Sequence, residues 1–133
     1  MEPSVFTKII KREIPANIIY EDDKTIAFLD IHPTQPGHTL VVPKLQISHF
    51  DELPDDYYQA MWNTVKKIAQ RQKEVLGKNR VGVQVIGLDV PHAHVHLIPF
   101  NSKSEYWTQA NPNSEPNFEE LTKMANKLKL GEY

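Results

Sequence analysis

The sequence predicts an α+β fold: an antiparallel sheet of about five strands, one long helix and a C-terminal helix. Three observations carry this. Short runs of β-forming residues alternate with turn-rich connections of hairpin length. The stretch 54–76 keeps apolar residues at helical spacing longer than any other. A second amphipathic stretch lies near the C-terminus.

Each element has its own signal. Val5 to Ile10, VFTKII, suits a short helix, with Pro15 as its stop. Ile18 to Glu21 and Thr25 to Asp30 read as strands joined by the polar turn Glu21-Asp22-Asp23-Lys24. IHPTQPGH, 31–38, holds two prolines and a glycine and is a loop. Thr39 to Pro43, TLVVP, is continuous in β-formers, as a strand buried on both faces should be. In 54–76, Met61, Val65, Ile68, Ala69, Gln72 and Leu76 share one helical face; Asp55 and Asp56 suit its first turn and Gly77 its stop. Val81 to Ile86 is a further strand, and PHAHVHLIP, 91–99, is the next. The long polar segment 101–116 reads as a loop, and Phe118, Leu121, Ala125 and Leu128 mark the last helix.

Length and composition bound the function. The 133 residues suit one domain spanning 1–133, with 101–133 as a variable tail. A formal net charge of −2 supplies no global field for nucleic acid or an anionic membrane, so neither is an expected partner. There is no cysteine, hence no disulfide framework and no thiolate chemistry. No apolar run resembles a signal peptide or a membrane span, and the cytoplasm is the expected location.

The segment 91–99 raises the chemical question. Three of the six histidines fall at every second position. On a strand His92, His94 and His96 project from one face while Ala93, Val95 and Leu97 pack on the other; on a helix His94 would point away. Pro91 and Pro99 bracket a segment too short for a helix, so the strand is preferred. Three explanations compete. Solvated filler is the simplest, but strict alternation argues against it. A metal site is possible in principle, because imidazole is a common ligand, yet the segment brings no cysteine or carboxylate. A row of imidazoles can also supply a nucleophile and donors to a phosphate.

The residues around the row decide between them. His92-Ala-His94-Val-His96-Leu97-Ile98 matches the pattern His-φ-His-φ-His-φ-φ, with φ apolar, and residues 6–44, FTKIIKREIPANIIYEDDKTIAFLDIHPTQPGHTLVVPK, resemble the amino-terminal half of the histidine-triad (HIT) nucleotide-binding proteins along their whole length. The resemblance implies a two-layer α+β HIT-like fold, a homodimer, a purine nucleotide ligand and attack on its α-phosphate. Carried over by position, His94 matches the nucleophile, His96 a phosphate contact, His92 a supporting group and His38 a fourth histidine packed against the others. Asp30 matches an acceptor for the ribose hydroxyls. Phe6, Ile9, Phe28 and Ile31 match apolar positions around the base; read alone, such positions are ordinarily core. His32 and His49 are read as surface or structural.

Two departures stand out. Many relatives place Cys-x-x-Cys and a further histidine where this chain has Ser4, Thr7 and Gln46, and hold zinc there with the first histidine of the row. Serine, threonine and glutamine are poor zinc ligands, so the resemblance is to a zinc-less sub-branch: no metal and no cofactor are expected, and His92 is expected to be free for an organic role. Relatives also carry Gly-Gln-Ser/Thr-Val before the row, where this chain has Gly87-Leu88-Asp89-Val90. Asp89 takes a substrate-facing position but cannot donate while ionised. Gln84 is the candidate stand-in for an asparagine typical of relatives. The resemblance implies a nucleoside phosphoramidase or nucleotidyl hydrolase working through a nucleotidyl-histidine. The alternatives are a dinucleoside-polyphosphate hydrolase, a non-catalytic nucleotide-binding module and a metal-binding protein.

Overall fold

The computed structural model describes residues 2–130. Five antiparallel strands form one sheet in the order β1-β2-β3-β5-β4. The strands are β1 (Ile18–Glu21), β2 (Thr25–Leu29), β3 (Thr39–Pro43), β4 (Arg80–Gln84) and β5 (Val95–Phe100), and the helices are α1 (Val5–Ile10), α2 (Asp55–Leu76), α3 (Lys103–Tyr106) and α4 (Phe118–Leu128). Among the described residues no helix is long and apolar enough to cross a membrane.

Strand alternation sorts the core into two. Ala27, Leu29, Val41, Val95 and Leu97 face α2 and α4, where Met61, Val65, Ile68, Leu121 and Leu128 meet them. Ile26, Phe28, Leu40 and Val42 face the other way and take Phe6 and Ile9 of α1. β2 and β3 are therefore buried along their whole length. The α1 side is only partly covered, which leaves room for a cleft.

Several boundaries differ from the sequence expectation. The α1 helix keeps its expected span, but its stop is Arg12 in a left-handed conformation (φ 64°) rather than Pro15. Glu13 N–H bonds the Lys8 carbonyl and Arg12 N–H the Ile9 carbonyl, a Schellman closure. A non-glycine residue there costs about 1 kcal/mol. The Arg12 guanidinium offsets it by bonding the Ile9 and Ile10 carbonyls and pairing with Glu21. The β2 strand ends at Leu29, one residue before Asp30, and β4 occupies Arg80–Gln84 rather than 81–86, with Gly87 at φ 72° turning the chain away. A single 3₁₀ turn, Phe50–Glu52, precedes α2.

The largest difference concerns the histidine row. β5 begins only at Val95, so His92 and His94 precede the strand. Pro43 has no N–H, and its carbonyl accepts the His92 ring instead of a ladder partner (2.7 Å). Ala93 N–H bonds the Ile47 carbonyl at 2.7 Å. The alternation survives without the ladder: Ala93, Val95 and Leu97 are buried toward α2, while the imidazoles turn toward α1.

Segment 101–116 is not a plain loop. Ser102 caps α3, and the Tyr106 ring lies where a Cβ on Gly82 would sit, 1.9 Å from its Cε1, with Phe100 alongside at 4.9 Å. Packing therefore accounts for Tyr106, whereas Trp107 is 69% exposed.

Candidate active site

Pairing in the sheet assembles the site. Leu29 sits opposite Thr39, which brings Asp30 and His38 together at the mouth of the 31–37 loop, closed by Asp30 N–H to the His38 carbonyl at 3.0 Å. Leu40 sits opposite His96 and sets His96 on the same face. From behind, fully buried Gln72 of α2 donates to the Gly37 and Leu97 carbonyls at 2.9 and 3.2 Å. Gly37 (φ 90°) lets the loop pass, since a Cβ there would lie 2.6 Å from Leu76.

Obligate donors and acceptors assign the imidazole protons. The Thr34 N–H donates to His38 Nδ1 (3.2 Å), so the proton of neutral His38 is on Nε2. That Nε2–H donates to His96 Nδ1 (3.0 Å), which leaves the His96 proton on Nε2. His94 Nδ1–H donates to the His92 carbonyl (2.8 Å), leaving a lone pair on His94 Nε2. His92 Nε2–H donates to the Pro43 carbonyl, and its Nδ1 accepts from Ser4 Oγ at 2.7 Å.

Burial holds all four rings neutral at pH 7. It lowers the pKa of His38, His92 and His94 below the usual 6.5. The carboxylates of Asp30 and Asp89 oppose that shift at His94 without reversing it. For His96, burial and the neighbouring His38 and His94 push the value down to about 4.

A cleft of about 500 Å³ opens on this face. His94 and His96 line it together with Asp30, Asp89, Phe6, Ile9, Phe28 and Ile31. The Phe6 ring meets Phe28 edge-on at 5.5 Å and His94 at 4.9 Å, so these residues are both core and cleft wall. His92 and His38 are buried behind it. Gln84 is in register with His96 and shares its face, yet stands outside the cleft wall among the described residues. His32, read as surface or structural, lines the cleft, and its Nε2 bonds the Ser114 carbonyl (3.0 Å). Its neighbours Asp30 and Pro33 were the signal for that position. Leu88 and Ile86, also in the wall, are 86% and 59% exposed.

Two groups invite a metal, and neither fits one well. Asp30, His38 and His96 place ligand atoms within 4.8 Å of one another, but the Thr34 N–H occupies His38 Nδ1 and leaves a proton, not a lone pair, on Nε2. Ser4, Thr7, Gln46 and His92 do converge, but as hydroxyls and an amide whose protons and lone pairs are matched to one another. His92 is therefore not free: both ring nitrogens are engaged.

What defines the class is the way the row meets the cleft, which makes this a histidine-triad protein on an α+β sheet. The chain belongs to the HIT-domain family, whose model matches residues 11–103. It is 45% identical over 100 residues to an uncharacterized HIT-like protein of Methanocaldococcus jannaschii, covering 71% of this chain and 77% of that one. It is 35% identical over 107 residues to a purine nucleoside phosphoramidase of Escherichia coli, covering 73% and 87%. It is 33% identical over 128 residues to an adenosine 5′-monophosphoramidase of Saccharomyces cerevisiae, covering 93% and 79%. Among solved structures it superposes on a HIT-like protein of Bartonella henselae with a TM-score of 0.83 at 32% identity, covering 94% and 93%.

Proposed function

We propose that this HIT-family hydrolase cleaves the P–N bond of a purine nucleoside 5′-phosphoramidate. His94 Nε2 attacks the α-phosphorus. The P–N electron pair goes to the leaving nitrogen, which takes a proton from water at the open rim and departs as the amine. Water then adds to phosphorus, the bond to His94 Nε2 breaks, and its electrons return to the ring. A nucleoside monophosphate and a proton leave. Two displacements replace one harder one. The observation that carries the reading is the 2.8 Å bond from His94 Nδ1–H to the His92 carbonyl, which reserves Nε2 for attack.

The other groups take supporting parts. His96 Nε2–H donates to a phosphoryl oxygen as charge builds there, its proton fixed in place by His38. Phe6, Ile9, Phe28 and Ile31 enclose the base. The Asp30 carboxylate, whose Oδ1 already accepts His32 N–H (2.8 Å), accepts from the ribose hydroxyls.

The charge of the cleft favours a phosphoramidate over a dinucleoside polyphosphate. Among the described residues its wall carries Asp30 and Asp89 and no lysine or arginine. A polyphosphate would bring several negative charges against two carboxylates and neutral imidazoles. The expected result is faster turnover of adenosine phosphoramidate than of diadenosine tetraphosphate; the reverse order would reverse the assignment. The reading includes a homodimer, supported by β4 at the sheet edge with Val83 43% exposed. Light scattering of the purified chain at twice the protomer mass is the expected result.

A further inference from the structure

We infer that Ser4, Thr7 and Gln46 are positioning residues, a one-way hydrogen-bond chain that holds His92 in its Nε2–H form and, through the His92 carbonyl, fixes the proton of His94. This rests on His94 being the nucleophile.

The direction of the chain is set by groups that cannot reverse. Gln46 Nε2 donates to the Glu2 carbonyl (2.9 Å), and Gln46 Oε1 accepts the Ser4 N–H (2.8 Å), so the amide has one orientation. Gln46 Oε1 also accepts Thr7 Oγ1–H at 2.7 Å, which spends the threonine proton. Thr7 N–H donates to Ser4 Oγ at 3.0 Å. The one proton of Ser4 Oγ then goes to His92 Nδ1 (2.7 Å), because the other ring nitrogen must donate to the Pro43 carbonyl. Ser4 is 5% exposed and His92 is fully buried, so water does not compete for these bonds.

The consequence reaches the reacting nitrogen. With both ring nitrogens committed, the His92 ring cannot turn, and the His92 backbone N–H is tied to the Val90 carbonyl at 2.8 Å. Its own carbonyl is thereby fixed as the acceptor for His94 Nδ1–H. Only one tautomer of His94 satisfies that carbonyl, and it leaves Nε2 bare. Phe6, carried by the same short helix as Ser4 and Thr7, packs against both rings at 5.9 and 4.9 Å and closes the assembly.

The test separates positioning from fold support. Ser4→Thr keeps the hydroxyl donor. Ser4→Asp keeps a helix-capping acceptor but, ionised, can only accept from His92 Nδ1. Long-range ¹⁵N–¹H spectra report the protonation of each ring nitrogen. Ser4→Thr should keep the wild-type His92 pattern and kcat within about threefold. Ser4→Asp, still folded, should place a proton on His92 Nδ1 and lower kcat by about tenfold to hundredfold, with AMP affinity nearly unchanged. Gln46→Leu should lose part of the pattern and show an intermediate kcat. An unchanged His92 pattern in Ser4→Asp, or equal kcat in Ser4→Asp and Ser4→Thr, would overturn the inference. The spectra decide the His92 assignment even if the wild type hydrolyses no phosphoramidate, an outcome that would count against the proposed reaction instead.

Discussion

His92 and His96 stand two positions either side of His94, and the molecule treats them in opposite ways. His92 is sealed: Ser4 closes one nitrogen, the Pro43 carbonyl closes the other, and no face meets the cleft. His96 is sealed at one nitrogen by His38 and lines the cleft with the rest of its ring. Burial holds both neutral. The difference lies in how many nitrogens the surroundings claim. A histidine with both claimed is scaffold; one with a single nitrogen claimed has a defined proton or lone pair to offer. His94 is the third case, with Nδ1 claimed by the His92 backbone carbonyl and a lone pair left over.

That contrast predicts different failures at the two ends. His96→Ala should lower kcat by about 10²- to 10³-fold, because the proposed phosphoryl donor is lost. Its stability should change little, since the freed His38 Nε2–H can turn to Asp30 Oδ2, now 3.7 Å away. His92→Ala should instead destabilise the fold by about 3 kcal/mol, through a cavity and an orphaned Ser4 hydroxyl and Pro43 carbonyl. Calorimetry should show a melting point lower by roughly 10 °C. Equal losses of stability in the two variants would erase the distinction.

Acid sharpens the comparison. The proposed attack needs neutral His94, whose pKa burial lowers below 6.5, so kcat/KM should stay level from pH 8 to below pH 6.5 and fall only in more acidic buffer. Stability should follow His96. A histidine with a depressed folded pKa binds its proton more weakly folded than unfolded, so its contribution is complete above about pH 6.5 and is lost as the pH falls toward about 4. Denaturant titrations at pH 7.5, 6 and 5 should show that decline, and His96→Ala should reduce it, the buried His38, His92 and His94 keeping the remainder. The smallest effect concerns the rim. Asp89→Asn should speed turnover of a substrate with an anionic leaving group about threefold relative to one with a neutral leaving group. An unchanged ratio would remove Asp89 from any part in selectivity.

The regular elements were largely legible in the sequence because their signals are local. The α1, β1 and β3 spans read as they stand, and α2 differs by one residue at its start, where Pro54 is the N-cap, while Gly77 (φ 64°) ends it where the sequence places the stop. What was not legible depends on distant partners. The stop of α1 at Arg12 rather than at Pro15 is held by Glu21. The late start of β5 needs a proline carbonyl on another strand. Ser4, Thr7 and Gln46 are visible as positions, which the family resemblance marks only as lost zinc ligands. Their hydrogen bonds span 88, 42 and 39 residues of sequence, so composition alone could not show that the three replace ligation with a network. In the same way Gln72 looked like one more residue on the helix stripe, yet it braces the loop that carries His38.

The most direct measurement is single-turnover reaction with adenosine phosphoramidate, followed by intact-protein mass spectrometry after a rapid quench, on the wild type and His94→Ala. The wild type should show one transient nucleotidyl adduct, and the variant should show none and react at least about 10⁴-fold more slowly while still binding AMP. An adduct that persists in His94→Ala, or turnover that survives it, would contradict the assignment of His94 as nucleophile.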